Sequence, residues 1–240
     1  KPGDDLAALL AVGLERRIGK LLSAGDVLVV AQKIVSKAEG RYVDLARVEP
    51  GAEAERLARE TDKDPRLVQV ILDESRRVVR HRPGVLIVEH RLGYVMANAG
   101  VDRSNVDPAM GEEPVLLLPR DPDASAASLR DKLAAYFGIT PAVIISDSFG
   151  RAWRSGTTGI ALGAAGLPSL IDMRGHDDLY GRTLRVTEIG YADEIAAAAS
   201  LLMGQADEAH PAVLLRGLMW SAQSRPAKAL IRAAEEDLFR

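Results

Sequence analysis

Two aspartates occupy positions from which a folded chain could present oxygen ligands to a metal ion. Asp147 follows the predicted strand residues 142–146, four apolar residues and a serine, and is itself followed by a hydroxyl, Ser148, whereas Asp102 lies in the polar stretch 98–113. Strand ends and long loops hold such side chains firmly yet leave them open to solvent. A carboxylate pair with a hydroxyl and an amide oxygen suits Mg2+ or Mn2+, ions that neutralise a nucleotide triphosphate. Each aspartate alone is also typical of a turn or a helix cap, so spacing by itself leaves the metal site open.

A basic segment and a glycine-rich segment offer two further places for phosphate. Lys33, Lys37 and Arg41 lie close together in the sequence, although a solvated protein edge is the commoner reason for such a pattern. Glycines at 156, 159, 163 and 166 would let backbone amides approach an anion, but this spacing more often permits close packing of backbone. The sequence contains no P-loop, no dinucleotide-binding glycine motif and no hydrolase nucleophile elbow.

Composition limits the classes of function further. The chain has 240 residues with 31 basic and 34 acidic side chains, so it lacks the excess of positive charge typical of nucleic-acid-binding domains. It contains no cysteine, which excludes disulfides, thiolate metal sites and cysteine nucleophiles and fits a cytoplasmic location. Its long apolar stretches, such as 195–203, in which Ser200 is the one polar residue, are far shorter than the roughly 20 residues of a membrane span. We therefore expect neither nucleic acid nor a membrane as a partner.

Hydrophobic periodicity and turn residues predict the elements that would position these side chains. Helices are predicted at 6–21, 51–61, 64–76, 122–137, 192–204 and, in the tail, 225–240. Strands are predicted at 26–32, 77–81, 84–90, 93–97, 114–119, 142–151, 183–189 and 211–217. Polar loops are predicted at 33–41 and 98–113. Because strands and helices do not alternate strictly, the pattern indicates an α+β fold rather than a doubly wound sheet.

Four segments of the chain together resemble one known family. They are VVAQKIVSKAEGR (29–41), ANAGVDRSNVD (97–107), SDSFGRAWRSGTTGIALGAAG (146–166) and the stretch 178–209. In this order and spacing they resemble the coenzyme F420-0:L-glutamate γ-glutamyl ligases over nearly the whole chain. The resemblance implies a two-lobed α+β fold, a homodimer, and an enzyme that uses GTP to attach L-glutamate to F420-0 and then extends a γ-linked polyglutamate tail. It also implies two divalent ions, Mg2+ or Mn2+, with K+ as a helper.

The same resemblance implies roles for residues at matching positions. Asp102 and Asp147 would hold one metal ion, and Ser148 and Gln205 would help to hold a second. Nucleotide contacts would come from Gln32, Lys33, Lys37, Asn105, Met203, Gly204, Gln205, Ala206, Asp207 and Glu208. No single catalytic base is assigned, because positioning and electrostatics would do most of the work.

The ends of the chain also resemble particular relatives. Residues 1–224 would form the ligase domain, and 225–240 a helical connection towards a C-terminal flavin-reductase-like domain, as in actinobacterial bifunctional relatives. Relatives begin with a further strand and a nucleotide-contacting turn, so we expect part of the nucleotide site to lie outside this sequence. Two alternatives remain: a non-catalytic module that binds the deazaflavin or a nucleotide, and a metal-dependent phosphohydrolase in which water replaces glutamate.

Overall fold

A computed structural model describes residues 1–19 and 21–238, and the chain divides into two compact units. The first unit consists of Ser36–Arg120 with Lys1–Asp4 and the described residues from Ala233 onward, and the second of Asp5–Val35 and Asp121–Arg232. The α-helices are α1 (Leu6–Ile18), α2 (Gln32–Ala38), α3 (Ala52–Thr61), α4 (Pro65–Asp73), α5 (Pro122–Phe137) and α6 (Tyr191–Met203). The strands are β1 (Val27–Ala31), β2 (Tyr42–Asp44), β3 (Ser75–Arg82), β4 (Val85–His90), β5 (Val95–Ala97), β6 (Pro114–Leu116), β7 (Ala142–Arg151), β8 (Arg154–Ala165), β9 (Ile171–Asp172), β10 (Glu188–Ile189) and β11 (Ala212–Leu215).

A four-stranded sheet forms the centre of the second unit, in the order β11-β1-β7-β8. β1 and β7 run parallel with Ala31 beside Ser146, whereas β11 and β8 run antiparallel to their neighbours. Because side chains alternate along a strand, Val29 packs with α6 while Val30 packs with α1 and α5. Helices therefore cover both faces of this sheet, which is why β1 is an unbroken apolar run.

Glycines in β8 allow α5 and α6 to pack directly against the backbone of the strand. A Cβ at Gly159 would lie 2.8 Å from the carbonyl carbon of Ala196 in α6. A Cβ at Gly163 would meet the carbonyl group of Pro122 at the start of α5. Close backbone packing, the commoner explanation for the glycine-rich segment, is therefore confirmed at these two positions.

Carboxylates near the start of α5 and of α6 accept hydrogen bonds from the backbone of β8. Asp123 of α5 accepts a hydrogen bond from the N–H of Ala164 (2.9 Å), and Asp193 of α6 accepts one from the N–H of Ala161 (2.8 Å). Burial raises the pKa of Asp193, although the N–H of Ala161 opposes that rise. These bonds fix where each helix begins along β8.

Two small sheets and two helices form the first unit. β3, β4 and β5 make an antiparallel sheet, and β2 pairs with β6. Helices α3 and α4 cover one face of the larger sheet, where Leu57 and Ile71 pack against Leu86. Leu116 of β6 also forms an isolated antiparallel bridge with Asp102, so this aspartate is held beside the β2–β6 pair.

β3 is an edge strand and is strongly basic. Its register against β4 is irregular between Ser75 and Arg77 and again between Val78 and Arg80. The side chains of both arginines are exposed. Bulges and charged side chains prevent an edge strand from pairing with strands of other chains, so this edge is protected.

A carboxylate surrounded by two arginines and a histidine lies at the end of α4. Oε2 of Glu74 accepts hydrogen bonds from Nη2 of Arg41 (2.8 Å) and Nε of Arg91 (3.0 Å), and Nε2 of His90 lies 3.5 Å away. Nδ1 of the buried His90 accepts from the N–H of Leu92, which assigns the ring proton to Nε2, towards Glu74. Burial raises the pKa of Glu74, but His90, Arg41 and Arg91 outweigh burial and lower that pKa to about 2.

The α+β class is confirmed, and most elements lie where the sequence predicts them. Helix α4 starts at Pro65 behind its N-cap Asp64, and α5 ends at Phe137 before its C-cap Gly138, whose φ of 72° is left-handed. Within the described residues, no helix is both long and apolar enough to cross a bilayer.

Several local predictions are wrong. The segment predicted as a loop at 33–41 mostly forms α2, because Val35 is buried against the core of the second unit and favours a helical turn there. In the predicted strand 183–189 only Glu188–Ile189 pair with another strand, and Val186 is 85% exposed. The predicted tail helix is replaced, as far as residue 238, by the 3₁₀ helices Ala227–Leu230 and Ala234–Glu236, and residues 239–240 lie outside the described part.

Candidate functional site

The parallel pairing of β1 with β7 ends at one edge of the sheet in the second unit, where β1 ends and β7 continues beside β8. β1 ends at Ala31, beside Ser146 of β7, and the chain continues from these points into Gln32 and Lys33 on one side and Asp147 on the other. Gln32 is buried, whereas Lys33 and Asp147 are partly exposed. Ligands commonly bind at this edge of a sheet because side chains there are rigidly held yet accessible.

Asp147 and Ser148 lie on opposite faces of β7. Asp147 shares the face of Val143 and Ile145, which pack with α1 and α5, and Ser148 shares the face of Ile144, which packs with α6. Ser148 is exposed. The two side chains therefore point to different sides of the sheet. Their assignment to two different metal ions stays a prediction.

The end of α6 lies on the same face as Ser148. Oγ of Ser146 is 3.8 Å from Sδ of Met203, the last residue of α6, so the turn that follows this helix begins close to the point where β7 stops pairing with β1. Gly159, opposite Ser148 in the register, permits this close approach of α6. Ser148 and the turn containing Gln205 are thus carried by adjacent elements.

The turn after α6 forms a concave group of backbone N–H donors. Gly204 has a φ of 73° and reverses the chain, after which the carboxylate of Glu208 accepts from the N–H of Ala206 at 2.8 Å. The backbone N–H groups of Ala206, Glu208 and Gln205 lower the pKa of this carboxylate. Backbone donors that stabilise a carboxylate can also bind a phosphate oxygen, so the turn 203–208 has the chemistry of an anion-binding site. Asp207 is exposed beside it.

The first unit brings three further predicted residues together. Nζ of Lys37 donates a hydrogen bond to the main-chain oxygen of Asn105 at 2.6 Å. Asn105 adopts a left-handed φ of 55°, and Oδ1 of Asp102 accepts from the N–H of Ser104 at 2.6 Å. Lys37 therefore contacts the loop that contains Asp102 and Asn105, a role for Lys37 that the sequence alone did not reveal.

The oxygen donors at these positions fit a hard divalent cation. Carboxylates, a hydroxyl and an amide oxygen are the groups that Mg2+ and Mn2+ bind, and no group of three or more His, Cys, Asp or Glu side chains suited to a metal is found in residues 1–19 and 21–238. Asp102 belongs to the first unit, whereas Asp147, Ser148 and Gln205 belong to the second. That Asp102 and Asp147 share one ion stays a prediction.

Sequence reasoning did not identify the residues that hold the loop 98–113 in place. Asp44 accepts hydrogen bonds from the N–H groups of Glu112 and Glu113, and a Cβ at Gly111 would lie 2.7 Å from Cγ of Asp44. An aspartate at the end of a three-residue strand is an ordinary turn signal, so only the folded register reveals this contact.

Comparison with known proteins decides the family. The protein-family model described as F420-0:Gamma-glutamyl ligase matches residues 1–217 of this chain. The chain belongs to this family. A relative from Methanopyrus kandleri, named coenzyme F420:L-glutamate ligase, is 48% identical over 100% of this chain and 93% of its own length. Proteins of the same name from Methanothermobacter thermautotrophicus and Methanocaldococcus jannaschii are 46% and 43% identical, over 99% and 90% of this chain and 93% and 85% of their own lengths.

The four segments that carry the resemblance all lie within the matched residues 1–217. The Methanopyrus and Methanothermobacter relatives are covered over 93% of their lengths, so neither has room for a further domain of substantial size. A link to the actinobacterial bifunctional type therefore stays a prediction, as does the C-terminal reductase-like domain.

Proposed function

We propose that this protein is a GTP-dependent ligase that joins L-glutamate to coenzyme F420-0 and then extends a γ-linked glutamate tail. The observation that carries the proposal is the family match over residues 1–217, together with 46–48% identity across essentially the whole chain to two proteins named coenzyme F420:L-glutamate ligase. The arrangement of polar groups at the edge of the second unit's sheet supports it.

The nucleotide would bind at the carboxyl end of β1, beside residues 146–148 of β7. Lys33 supplies a cation there, and the N–H donors of the turn 203–208 suit phosphate oxygens, because the same donors already stabilise the carboxylate of Glu208. A phosphate that took up these donors would displace the Glu208 side chain. We therefore expect Glu208 to leave the turn when a nucleotide binds.

Divalent ions would be held by the oxygen donors described above. Asp102 and Asp147 would hold one Mg2+ or Mn2+ ion, Ser148 and Gln205 would help to hold a second, and K+ would assist. When bound, such ions offset the negative charge that develops on the phosphates. The chain would hold Asp147 and Ser148 on β7, Gln205 in the turn after α6, and Asp102 in the loop 98–113.

The reaction needs activation of a carboxylate, which is a poor acylating agent. A carboxylate oxygen of F420-0 would attack the γ-phosphorus of GTP, forming an acyl phosphate and releasing GDP. The amine of L-glutamate would then attack the acyl carbon, phosphate would leave, and the amine proton would pass to phosphate or solvent. Both steps gain chiefly from orientation and from donors aimed at phosphate oxygens.

Mass spectrometry of F420-0 incubated with the protein, GTP, MnCl2 and L-glutamate tests the proposal directly. We expect products that increase in mass by one glutamate residue at a time. The variants Asp102→Asn and Asp147→Asn should lower the rate at least about 100-fold, while Asp131→Asn, an exposed position on α5, should not change it.

Other outcomes of the same assay would identify another function. GTP hydrolysis that requires neither F420-0 nor glutamate would support a metal-dependent phosphohydrolase. Nucleotide binding by calorimetry without any new product would support a binding module. Either result would contradict the ligase proposal.

The homodimer is also a proposal, and exposed apolar side chains between β9 and β10 support it. Leu179 is fully exposed and Tyr180 is 89% exposed, although this segment is ordered by its own bonds, such as those from the N–H groups of Tyr180 and Arg182 to Asp178. Exposed apolar side chains on an ordered segment are typical of an interface. Light scattering should give the mass of a dimer, and Leu179→Asp should give that of a monomer. A monomeric wild-type protein would contradict the proposal.

A further inference from the structure

The loop 98–113, which contains Asp102, is held at both of its ends. Near its start, the N–H of Asp102 donates to Leu116 (3.0 Å), and the N–H of Leu116 donates back to Asp102 (2.8 Å). At its end, Asp44 accepts from the N–H of Glu113 at 3.0 Å. Because β6 begins directly after Glu113 and ends at Leu116, a shift at the loop's end would be passed along three residues to the backbone of Asp102.

A single arginine connects this end of the loop to the start of α4. Nη1 and Nη2 of Arg66 donate to both carboxylate oxygens of Glu113 at 2.9 and 3.1 Å. Nη2 and Nε of the same side chain donate to Asp64, the N-cap of α4, at 2.7 and 3.1 Å. Arg103, the residue after Asp102, lies 3.8 Å from Asp64 and 3.9 Å from Glu113. Two arginines and two carboxylates thus form one network that reaches both sides of the loop.

This network differs from an ordinary surface ion pair, which contributes little to the stability of a fold. Arg66 is bidentate to two carboxylates at once and its side chain is 30% exposed, whereas Arg56 pairs with Glu60 within the same helix and is 51% exposed. Bidentate geometry fixes direction as well as distance, and networks hold position better than single pairs. The hydrogen bonds and charge of Arg66 also lower the pKa of Asp64 against the effect of burial.

We infer that Arg66 is a positioning residue for Asp102: it acts through Glu113 and β6 to hold the loop in the conformation that binds the metal ion and the nucleotide. The inference rests on the proposed function only for what Asp102 and Asn105 bind. The clamp itself, by which we mean the network of Arg66, Arg103, Asp64 and Glu113, lies within the first unit. A substrate or metal ion need not touch Arg66.

The experiment compares Arg66→Gln with Arg56→Gln, which removes the same charge and an ion pair from the neighbouring helix, where Nη1 of Arg56 donates to both carboxylate oxygens of Glu60. Hydrogen exchange of the amides in 101–113 should be about fivefold faster or more in Arg66→Gln and unchanged in Arg56→Gln. Calorimetric titration with Mn2+ and with GTP should give dissociation constants raised about three- to tenfold in Arg66→Gln alone. In the ligase assay, the apparent constants for Mn2+ and GTP should rise while kcat stays within about twofold.

The inference is wrong if Arg66→Gln leaves both the loop exchange and the binding constants unchanged, or if Arg56→Gln changes them equally. A lower kcat with unchanged constants for Mn2+ and GTP would also overturn it. If Arg66→Gln does not fold, Arg66→Lys keeps the charge but not the two-sided geometry, and the same comparison decides. Failure of the proposed function is recognised separately: the wild-type protein would then form no glutamylated product, while the hydrogen-exchange comparison would still test the clamp.

Discussion

Replacing Gly159 with alanine should displace α6 and weaken the site at its end. The new Cβ would lie 2.8 Å from the carbonyl carbon of Ala196 and 2.9 Å from Cβ of Ser200, and closer still to the carbonyl oxygen of Ala196. None of these atoms is the end of a flexible side chain, so the helix as a whole must move. Overpacking of this kind costs about 1–3 kcal/mol, which for a chain of this size lowers Tm by roughly 2–12 °C.

The matched control is Gly150→Ala on the neighbouring strand β7. A Cβ at Gly150 would meet no atom within 4 Å, so the free energy of unfolding should change by at most about 0.5 kcal/mol. Thermal unfolding followed by circular dichroism measures both variants, and calorimetry measures their affinity for GTP. Weaker GTP binding is expected only in Gly159→Ala, because α6 leads into the turn 203–208. If Gly159→Ala unfolds and binds GTP like the wild type, contact with the backbone of β8 does not position α6.

Three further predictions concern charged side chains. Glu74→Gln should lower the free energy of unfolding at neutral pH by on the order of 3 kcal/mol, since the pKa of Glu74 falls from 4.5 to about 2 on folding. In urea titrations the difference from the wild type should be complete above pH 4.5 and disappear as the pH falls towards 2. A difference independent of pH would contradict this prediction. Asp123→Ala should lower the free energy of unfolding by about 2–4 kcal/mol, because two buried N–H groups lose their acceptor. In the wild type the N–H groups of Ala164 and Ala227 lie 2.9 and 2.7 Å from Oδ1 of Asp123. An unchanged Tm would contradict this prediction. Lys37→Met should raise KM for GTP about fivefold with little change in kcat, because the main-chain oxygen of Asn105 loses its hydrogen bond from Nζ of Lys37. A fall in kcat alone would contradict this prediction.

Local sequence signals predicted the long elements because their causes are local. Asp64 followed by Pro65 and Gly138 after α5 set helix ends through capping and backbone geometry. The helix α2 was missed because it has seven residues, and its helical state depends on burial of Val35 against other elements. Likewise, β8 was hidden by its glycines, whose purpose becomes visible only when α5 and α6 lie against them.

Most of the candidate site was recognised through long matching segments, and the residues alone gave weaker signals. Asp147 could be identified because an apolar, buried run stops there, although β7 itself continues to Arg151. Nothing in the sequence shows that Ser148 lies on the opposite face together with the end of α6. Arg66 and Asp44 could not be identified, because each acts on residues 47 to 69 positions away in the chain. Such long-range contacts follow from the register of β6 with β2 rather than from local pattern.

The order of synthesis follows from the parallel pairing of β1 with β7. Ala31 lies beside Ser146, 115 positions later in the chain (146 minus 31), and Ser36–Arg120, nearly all of the first unit, is translated between them. At usual elongation rates, β1 therefore waits about 6–23 s on the ribosome for its neighbour. During that time the first unit can fold, whereas the face of β1 that packs with the later helix α6 stays uncovered and is a target for chaperones. A shift of rare codons into 121–141 would lengthen this interval and should increase aggregation during expression.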